Sequence, residues 1–484
     1  MKRLSFLACP LLACLFLLLP VACSHHDDPT SEVEEDIEIP EIPPTEYEDI
    51  AWGEGERYVW DENYIPEIRI DVPLKEWNTL LKDYDRSSDT ELYIHCDVEF
   101  RKGLETTLIK DAGLRLRGNT SRRRPEGEKG QDHQARPDWH KCHFGLSFRK
   151  FNKDSEHELM GIRKLHLKWF KEDPTHVREL FCYDLFRRAG IWTALQDIYC
   201  RVWVHVEGDA EPAYYGVYNM LETADGQYLK RRENNFGGSK GNLWKCVIGA
   251  DFTKESVTRM GPDTEEYDYP YELKENKGTF DEAAAQLTDF ITNVSSLDDQ
   301  AFYEWINKVC DVNLLLRTYA VNVAMGGWDD HWNNSNNFYI YFNSNDPTDY
   351  QFFFIPYDYD NTLGTCNNCG AQNDAVKHDP FKWGNKGILI ERLMKYESCR
   401  AVYKKELLRM IDPELGFMDY KSATDRISRW HSRIKNYVSN DTGDGMTIED
   451  KTASWSSHTE YRILDPNPNY NFFKVKAQVI RALK

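Results

Sequence analysis

Residues 328–364 read WDDHWNNSNNFYIYFNSNDPTDYQFFFIPYDYDNTLG, a pattern that admits few conformations. Two aromatic-rich runs, 338–342 and 350–357, flank a polar turn of Asn, Ser, Asp and Pro, the signature of a β-hairpin. Paired antiparallel strands run in opposite directions, so a turn centred near Pro347 puts Asn337 opposite Tyr357 or Asp358. An amide and a carboxylate then meet at the open end of the hairpin, beside Asp329 and Asp330. Hard oxygen donors gathered this way suit Mg²⁺ or Mn²⁺ better than zinc, which favours Cys and His. The alternative is a solvated Asn/Asp-rich loop. Acids clustered at the open end rather than at the tip favour the metal.

Upstream, PEIRIDV, ELYIHCDVEF and KCHFGLSFRKF alternate apolar and polar positions as strands do, and LKEWNTLLKDY reads as a short amphipathic helix. GLRLRGNTSRRR runs from a strand into a turn holding Gly118, Asn119, Thr120 and Ser121. Such a turn can fold over phosphates with its backbone N–H groups and a following lysine; Arg122–Arg124 can equally be a solvated basic loop. KLHLKW is a further strand. Asp173 as N-cap and Pro174 at the first helical position open a helix that ends at Gly190. Its apolar face is Val177, Leu180, Phe181, Leu185 and Phe186. Arg178 and Glu179 lie off that face or at its border, solvated or with one turned inward as an ion-pair partner. DIYCRVWVHVEG and AYYGVYNMLETAD form an antiparallel pair that empties into Glu222 and a short acidic linker. Residues 233–280 read as irregular with one buried strand, GNLWKCVIG. From Thr279 onward helical periodicity dominates, interrupted by the hairpin. The fold class is α+β: a β-rich lobe over 58–225 and a mainly helical lobe over 226–484, the layout of a bilobal enzyme of the protein-kinase type.

The ends carry an address. Lys2 and Arg3 precede an apolar run, 4–19, followed by Pro20-Val21-Ala22-Cys23. This resembles a bacterial lipoprotein signal over 1–22, with Cys23 lipidated and the protein anchored rather than spanning; the alternative is an ordinary cleaved secretory signal. Residues 23–57 are acidic and contain Pro, a self-repelling flexible tether of the kind that marks outer-membrane or cell-surface lipoproteins. A net charge of −20 over 484 residues excludes nucleic acid as a general partner. Nine cysteines remain after Cys23, and Cys366 with Cys369 is their one local pair, expected as a disulfide.

Five short motifs in order make the chain resemble the CotH kinase family over roughly residues 60–480. They are Arg117-Gly118-Asn119-Thr120-Ser121; Lys141-Cys142-His143-Phe144; Tyr215-Gly216-Val217-Tyr218 through Glu222; Asp329 through Asn337-Phe338-Tyr339-Ile340-Tyr341; and Pro356-Tyr357-Asp358-Tyr359-Asp360 to Gly364. The resemblance implies an atypical kinase-like fold that transfers the γ-phosphoryl of ATP to Ser or Thr of a protein acceptor. By the same resemblance the 117–121 turn covers the phosphates and Lys141 pairs with them. Asp329 or Asp330 orients the acceptor hydroxyl. Asn337 and Asp358 hold Mg²⁺ or Mn²⁺, with Asn334 as the alternative amide. Asp360 holds a second ion or caps the following loop, and Glu222 sits near adenine or ribose or is a structural acceptor. A non-catalytic surface lipoprotein binding a glycan, host or envelope protein is the competing function. Transfer of a nucleotidyl group is a third.

Overall fold

A computed structural model describes residues 50–87, 91–118, 120–154, 157–262, 269–365, 374–454 and 456–483. The expected signal, Cys23 with its expected lipid, most of the expected tether, Asn119 and the Cys366–Cys369 pair lie outside the described residues. The seven cysteines within them are buried thiols.

The first half is a closed seven-stranded barrel: β1 (Glu67–Val72), β2 (Ile94–Lys102), β3 (Glu105–Arg117), β4 (His143–Ser147), β5 (Lys164–Lys168), β6 (Asp197–Val206) and β7 (Ala213–Leu221). β1 lies antiparallel to β2 and parallel to β6, which closes the ring and leaves no open sheet edge. Alternation drives it: Ile68, Ile70 and Val72 of β1 are buried and join Phe100, Leu114, Phe144, Leu165 and Tyr218 in one apolar core. The helix Leu74–Arg86 buries Trp77, Leu80 and Leu81 at helical spacing.

The second half contains a five-stranded sheet as well as helices. It is built from β8 (Asn242–Cys246), β9 (Met260–Pro262), β10 (Tyr271–Leu273), β11 (Phe338–Phe342) and β12 (Phe352–Pro356), in the order β12-β11-β8-β10-β9. The hairpin is therefore half of a larger sheet. β9 and β10 have three residues each, too short for a period-2 pattern to show, which is why 233–280 reads as irregular. Helices including Phe280–Ser296, Val312–Ala324, Glu397–Met410 and Tyr420–Ile434 pack a second, larger core around this sheet. Among the described residues no helix is long and apolar enough to cross a membrane.

One helix ties the two halves together. It begins at Arg178, later than Asp173-Pro174 suggests, because His176 adopts a left-handed φ of 52°. Asp173 still serves the helix start: its carboxylate accepts the N–H groups of Thr175, Val177 and Arg178. Arg178–Arg188 is buried on all sides through Phe186 and belongs to the second core. Asp184 pairs with Arg188 and with Arg426 of the helix Tyr420–Ile434. At the other end of the chain, residues expected to be tether already fold in: Ala51 N–H donates to the Arg231 carbonyl, and Trp52 stacks 5.0 Å from the Arg231 guanidinium.

Candidate active site

A cleft of about 550 Å³ is lined on one side by barrel residues and on the other by the ends of β8, β11 and β12. Lys168, the last residue of β5, reaches across it. Its ammonium lies 2.5 Å from Glu179 Oε1, in the first turn of the tied helix, and 2.6 Å from Asp358 Oδ1, two residues past β12. Burial works against the ammonium charge, but Asp358 and Glu179 hold Lys168 protonated well above its usual range. Burial likewise opposes charge on Asp358, and Lys168 outweighs it, holding that carboxyl below the ordinary value. Glu179 is pushed upward by burial despite Lys168. One cation is thus shared by two carboxylates, so it can change partners.

The hairpin register is the one its turn implies. Phe338 faces Pro356, which places Asn337 one step out, opposite Tyr357. Asn337 and Asp358 both adopt left-handed φ, 59° and 63°, a costly conformation for non-glycine residues and one that redirects each side chain where its strand ends. Asn337 Nδ2 donates to Asp329 Oδ2 at 2.9 Å; Asn334, Asn336 and Asn361 donate to the same carboxylate at 2.5, 3.1 and 3.3 Å. Burial pushes Asp329 above the ordinary carboxylate range, against the bonds from Asn334 and Asn336. Both candidate amides, Asn334 and Asn337, therefore meet Asp329.

Asp330 turns elsewhere. It caps the short helix His331–Asn334 by accepting Asn333 N–H at 2.8 Å, and it accepts Asn322 Nδ2 at 2.5 Å and Trp383 Nε1 at 3.1 Å. Burial raises it to about 7. It is off the main cleft wall, which Asp329 lines. Asp330→Ala removes the acceptor from Asn333 N–H and Trp383 Nε1 and one of two from Asn322 Nδ2, and is expected to cost about 1–3 kcal/mol of stability in denaturant unfolding.

The donor set fits a hard divalent ion. Asp329, Asn337, Asp358 and Asn361 border a void of about 10 Å³, roughly the space of one water or small ion. Asp360, on the cleft wall, is driven well above the carboxylate range by burial first and Asp358 second, a crowding that a cation would relieve. Among the described residues no three His, Cys, Asp or Glu side chains form a ready metal group. Amide oxygens, phosphate and water would have to complete the shell, as is usual for Mg²⁺.

The CotH kinase protein family model matches residues 114–463. The chain belongs to the CotH kinase family. Relatives from Rhizopus delemar include Spore coat protein homolog 1, 22% identical over 76% of this chain and 54% of that protein. Invasin CotH7 is 24% identical over 76% and 55%, and Invasin CotH3 is 23% identical over 52% and 41%. The chain spans about half the length of these relatives or less.

Of the residues that the CotH resemblance singles out, Arg117, Gly118, Thr120, Ser121, Asp329, Asn337, Asp358 and Asp360 all line the cleft. Gly118 has φ 107°, and a Cβ there would come 2.6 Å from Ser121 Oγ and 2.9 Å from Arg122 N. Gly118→Ala is expected to cost about 1–3 kcal/mol in thermal unfolding.

Lys141 and Glu222, like Asp330, lie elsewhere. Lys141 precedes β4 and is off the cleft wall. It is buried under Gly216 and Gly445, whose added Cβ atoms would sit 3.2 and 3.4 Å from its Nζ, with the Tyr218 ring 5.9 Å away. Burial pulls it down to about 8. Lys168 is the cleft lysine that pairs with Glu179 and Asp358. Glu222 is buried and accepts Arg231 Nη1 at 3.2 Å, Arg232 Nη1 and Nη2 at 3.0 and 2.9 Å, and Gln196 N–H at 3.1 Å. That is its structural-acceptor role.

Sequence reasoning passed over Lys168 and Asn361 and left Glu179 open. KLHLKW did hold a signal: a charged residue ending an apolar strand immediately before a loop and a helix.

Proposed function

We propose that the chain is an extracytoplasmic protein kinase that moves the γ-phosphoryl of ATP to a Ser or Thr hydroxyl of a surface or envelope protein. One observation carries this reading. A barrel lysine, a helix glutamate and an aspartate after a hairpin meet in one cluster, with a second aspartate, Asp329, on the same cleft before that hairpin. Protein kinases use that order of parts for phosphoryl transfer, where catalysis is mainly positioning and charge neutralisation.

The 117–121 turn covers the phosphates with backbone N–H groups. Lys168 gives up Asp358 and turns to phosphate oxygens while Glu179 keeps it in place. Asn337, Asp358 and Asp360 would hold Mg²⁺ or Mn²⁺, which would supply charge neutralisation to the phosphates. Asp329 accepts the hydrogen bond of the acceptor hydroxyl and aims its oxygen at the γ-phosphorus. The new P–O bond forms as the bond to the β–γ bridging oxygen breaks, ADP leaves, and the hydroxyl proton passes to Asp329. The Asn amides around Asp329 hold its orientation.

A lipid on Cys23 would place the enzyme on the outer membrane or cell surface, in keeping with the spore-coat and invasin names of its relatives. The invasin names also favour a second reading, a non-catalytic surface protein binding a glycan, host or envelope protein. Incubating the full chain with γ- or α-labelled ATP and Mg²⁺ or Mn²⁺ separates these. The kinase reading requires protein-bound label from γ-ATP alone. Label from α-ATP means nucleotidyl transfer, and absence of both label and nucleotide binding leaves the binding protein.

A further inference from the structure

The open end of the barrel carries a histidine with one donor unused. His143, the first residue of β4, is only 3% exposed and lines the cleft. Trp169 N–H donates to its Nδ1 at 3.1 Å. A backbone N–H can only donate, so Nδ1 carries no proton and the neutral ring keeps its hydrogen on Nε2. Among the described residues Nε2–H meets no acceptor. Polar groups at such depth are nearly always satisfied, and leaving one unmet is costly. Nε2 is not among the atoms sealed from solvent, and the opening beside it is the cleft.

Strand register says what stands next to it. His143 faces Arg117 of β3, and the pairing of Phe144 with Leu167 sets His143 beside Lys168 one step on. Directly paired residues of antiparallel strands point to one face. Arg117, His143 and Lys168 therefore form a row across the ends of three adjacent strands, and all three line the cleft. Burial first, then Lys168, Arg117 and Lys171, holds His143 well below its usual range, so the ring is uncharged. An uncharged donor between two cations adds a hydrogen bond for an anion without adding repulsion. Resting on the kinase reading above, we propose that His143 is a phosphate-binding residue that donates Nε2–H to an oxygen of the bound nucleoside polyphosphate. The bond from Trp169 fixes the ring, so the donor is aimed before the nucleotide arrives, as phosphoryl transfer by positioning requires.

Calorimetric titration of the full chain with Mg²⁺ and an ATP analogue carrying a non-hydrolysable β–γ bridge tests this. His143→Asn keeps an acceptor for Trp169 N–H but is too short to put a donor where Nε2 stands. It is expected to unfold near the wild-type temperature and to bind the analogue about 10–100-fold more weakly. His143→Gln reaches the Nε2 position with an amide donor and leaves Trp169 N–H unmet. It is expected to unfold at a lower temperature than the Asn variant and yet to bind more tightly. Stability and binding then move in opposite directions, which a purely structural histidine does not produce. A folded Asn variant that binds like wild type, or a folded Gln variant that binds more weakly than Asn, overturns the assignment while the kinase reading stands. If neither variant folds, the wild-type chain labelled with ¹⁵N-histidine decides: the analogue must shift an Nε2–H resonance, and unmoved histidine signals overturn the assignment. A wild-type chain that binds no analogue overturns the kinase reading and this assignment with it.

Discussion

Asp358→Asn is expected to reduce phosphoryl transfer by at least about 10³-fold, about 4 kcal/mol of lost transition-state stabilisation, while the chain stays folded. The expectation comes from what each neighbour loses. Asp358 is a hard-oxygen donor beside the small void and the partner that competes with Glu179 for Lys168. The Asn side chain keeps the shape but gives up the charge that a divalent ion and Lys168 both require. Lys168 retains Glu179 at 2.5 Å, so the buried ammonium is not stranded. Initial rates with labelled ATP, beside a thermal unfolding curve for each protein, check this. Near-wild-type rates in the Asn variant would remove Asp358 from the machinery.

The second large effect separates two lysines. Lys168→Met is expected to lose at least about 100-fold in transfer. It also leaves the buried Glu179 without its cation, and breaking a buried pair in this way costs about 3–5 kcal/mol. Lys168→Arg is not expected to rescue, because a planar fork does not fit a site built around a point charge between two carboxylates. Lys141→Met is expected to stay within about tenfold of wild type in rate and to act on stability, because Lys141 packs under Gly216 and Gly445, off the cleft. Activity lost through Lys141 and kept through Lys168 would reverse the assignment. Assays below the melting temperature of the weaker variant keep folding and catalysis apart.

The contrast between these lysines shows what the sequence can carry. Strand alternation and hairpin register are local, so β1–β7 and the placement of Asn337 opposite Tyr357 or Asp358 are legible in the sequence, and the structure selects Tyr357. Lys141 and Lys168 both stand at the end of an alternating strand, and period alone does not say which end opens into a cleft. Barrel closure decides it. Glu179 was ambiguous for another reason. An apolar face locates the buried side of a helix only when the other side meets water. Here Arg178, Glu179 and Asp184 are buried too, so charges off the apolar face point at partners rather than at solvent. Glu222 depends on Arg231 and Arg232, which lie close in sequence but reach it only after the chain turns through the helix Gly226–Arg231. Asp329 and Asp330 are adjacent, and their roles diverge because Asp330 becomes a helix cap.

The most direct test is a crystal structure of the chain with Mg²⁺ and a non-hydrolysable ATP analogue. The predicted result has the triphosphate under the 117–121 turn, Lys168 moved from Asp358 to a phosphate oxygen with Glu179 still paired, and the ion on Asn337 and Asp358. A nucleotide bound outside this cleft, or one that leaves the Lys168–Asp358 pair closed and Asp358 without an ion, would contradict it.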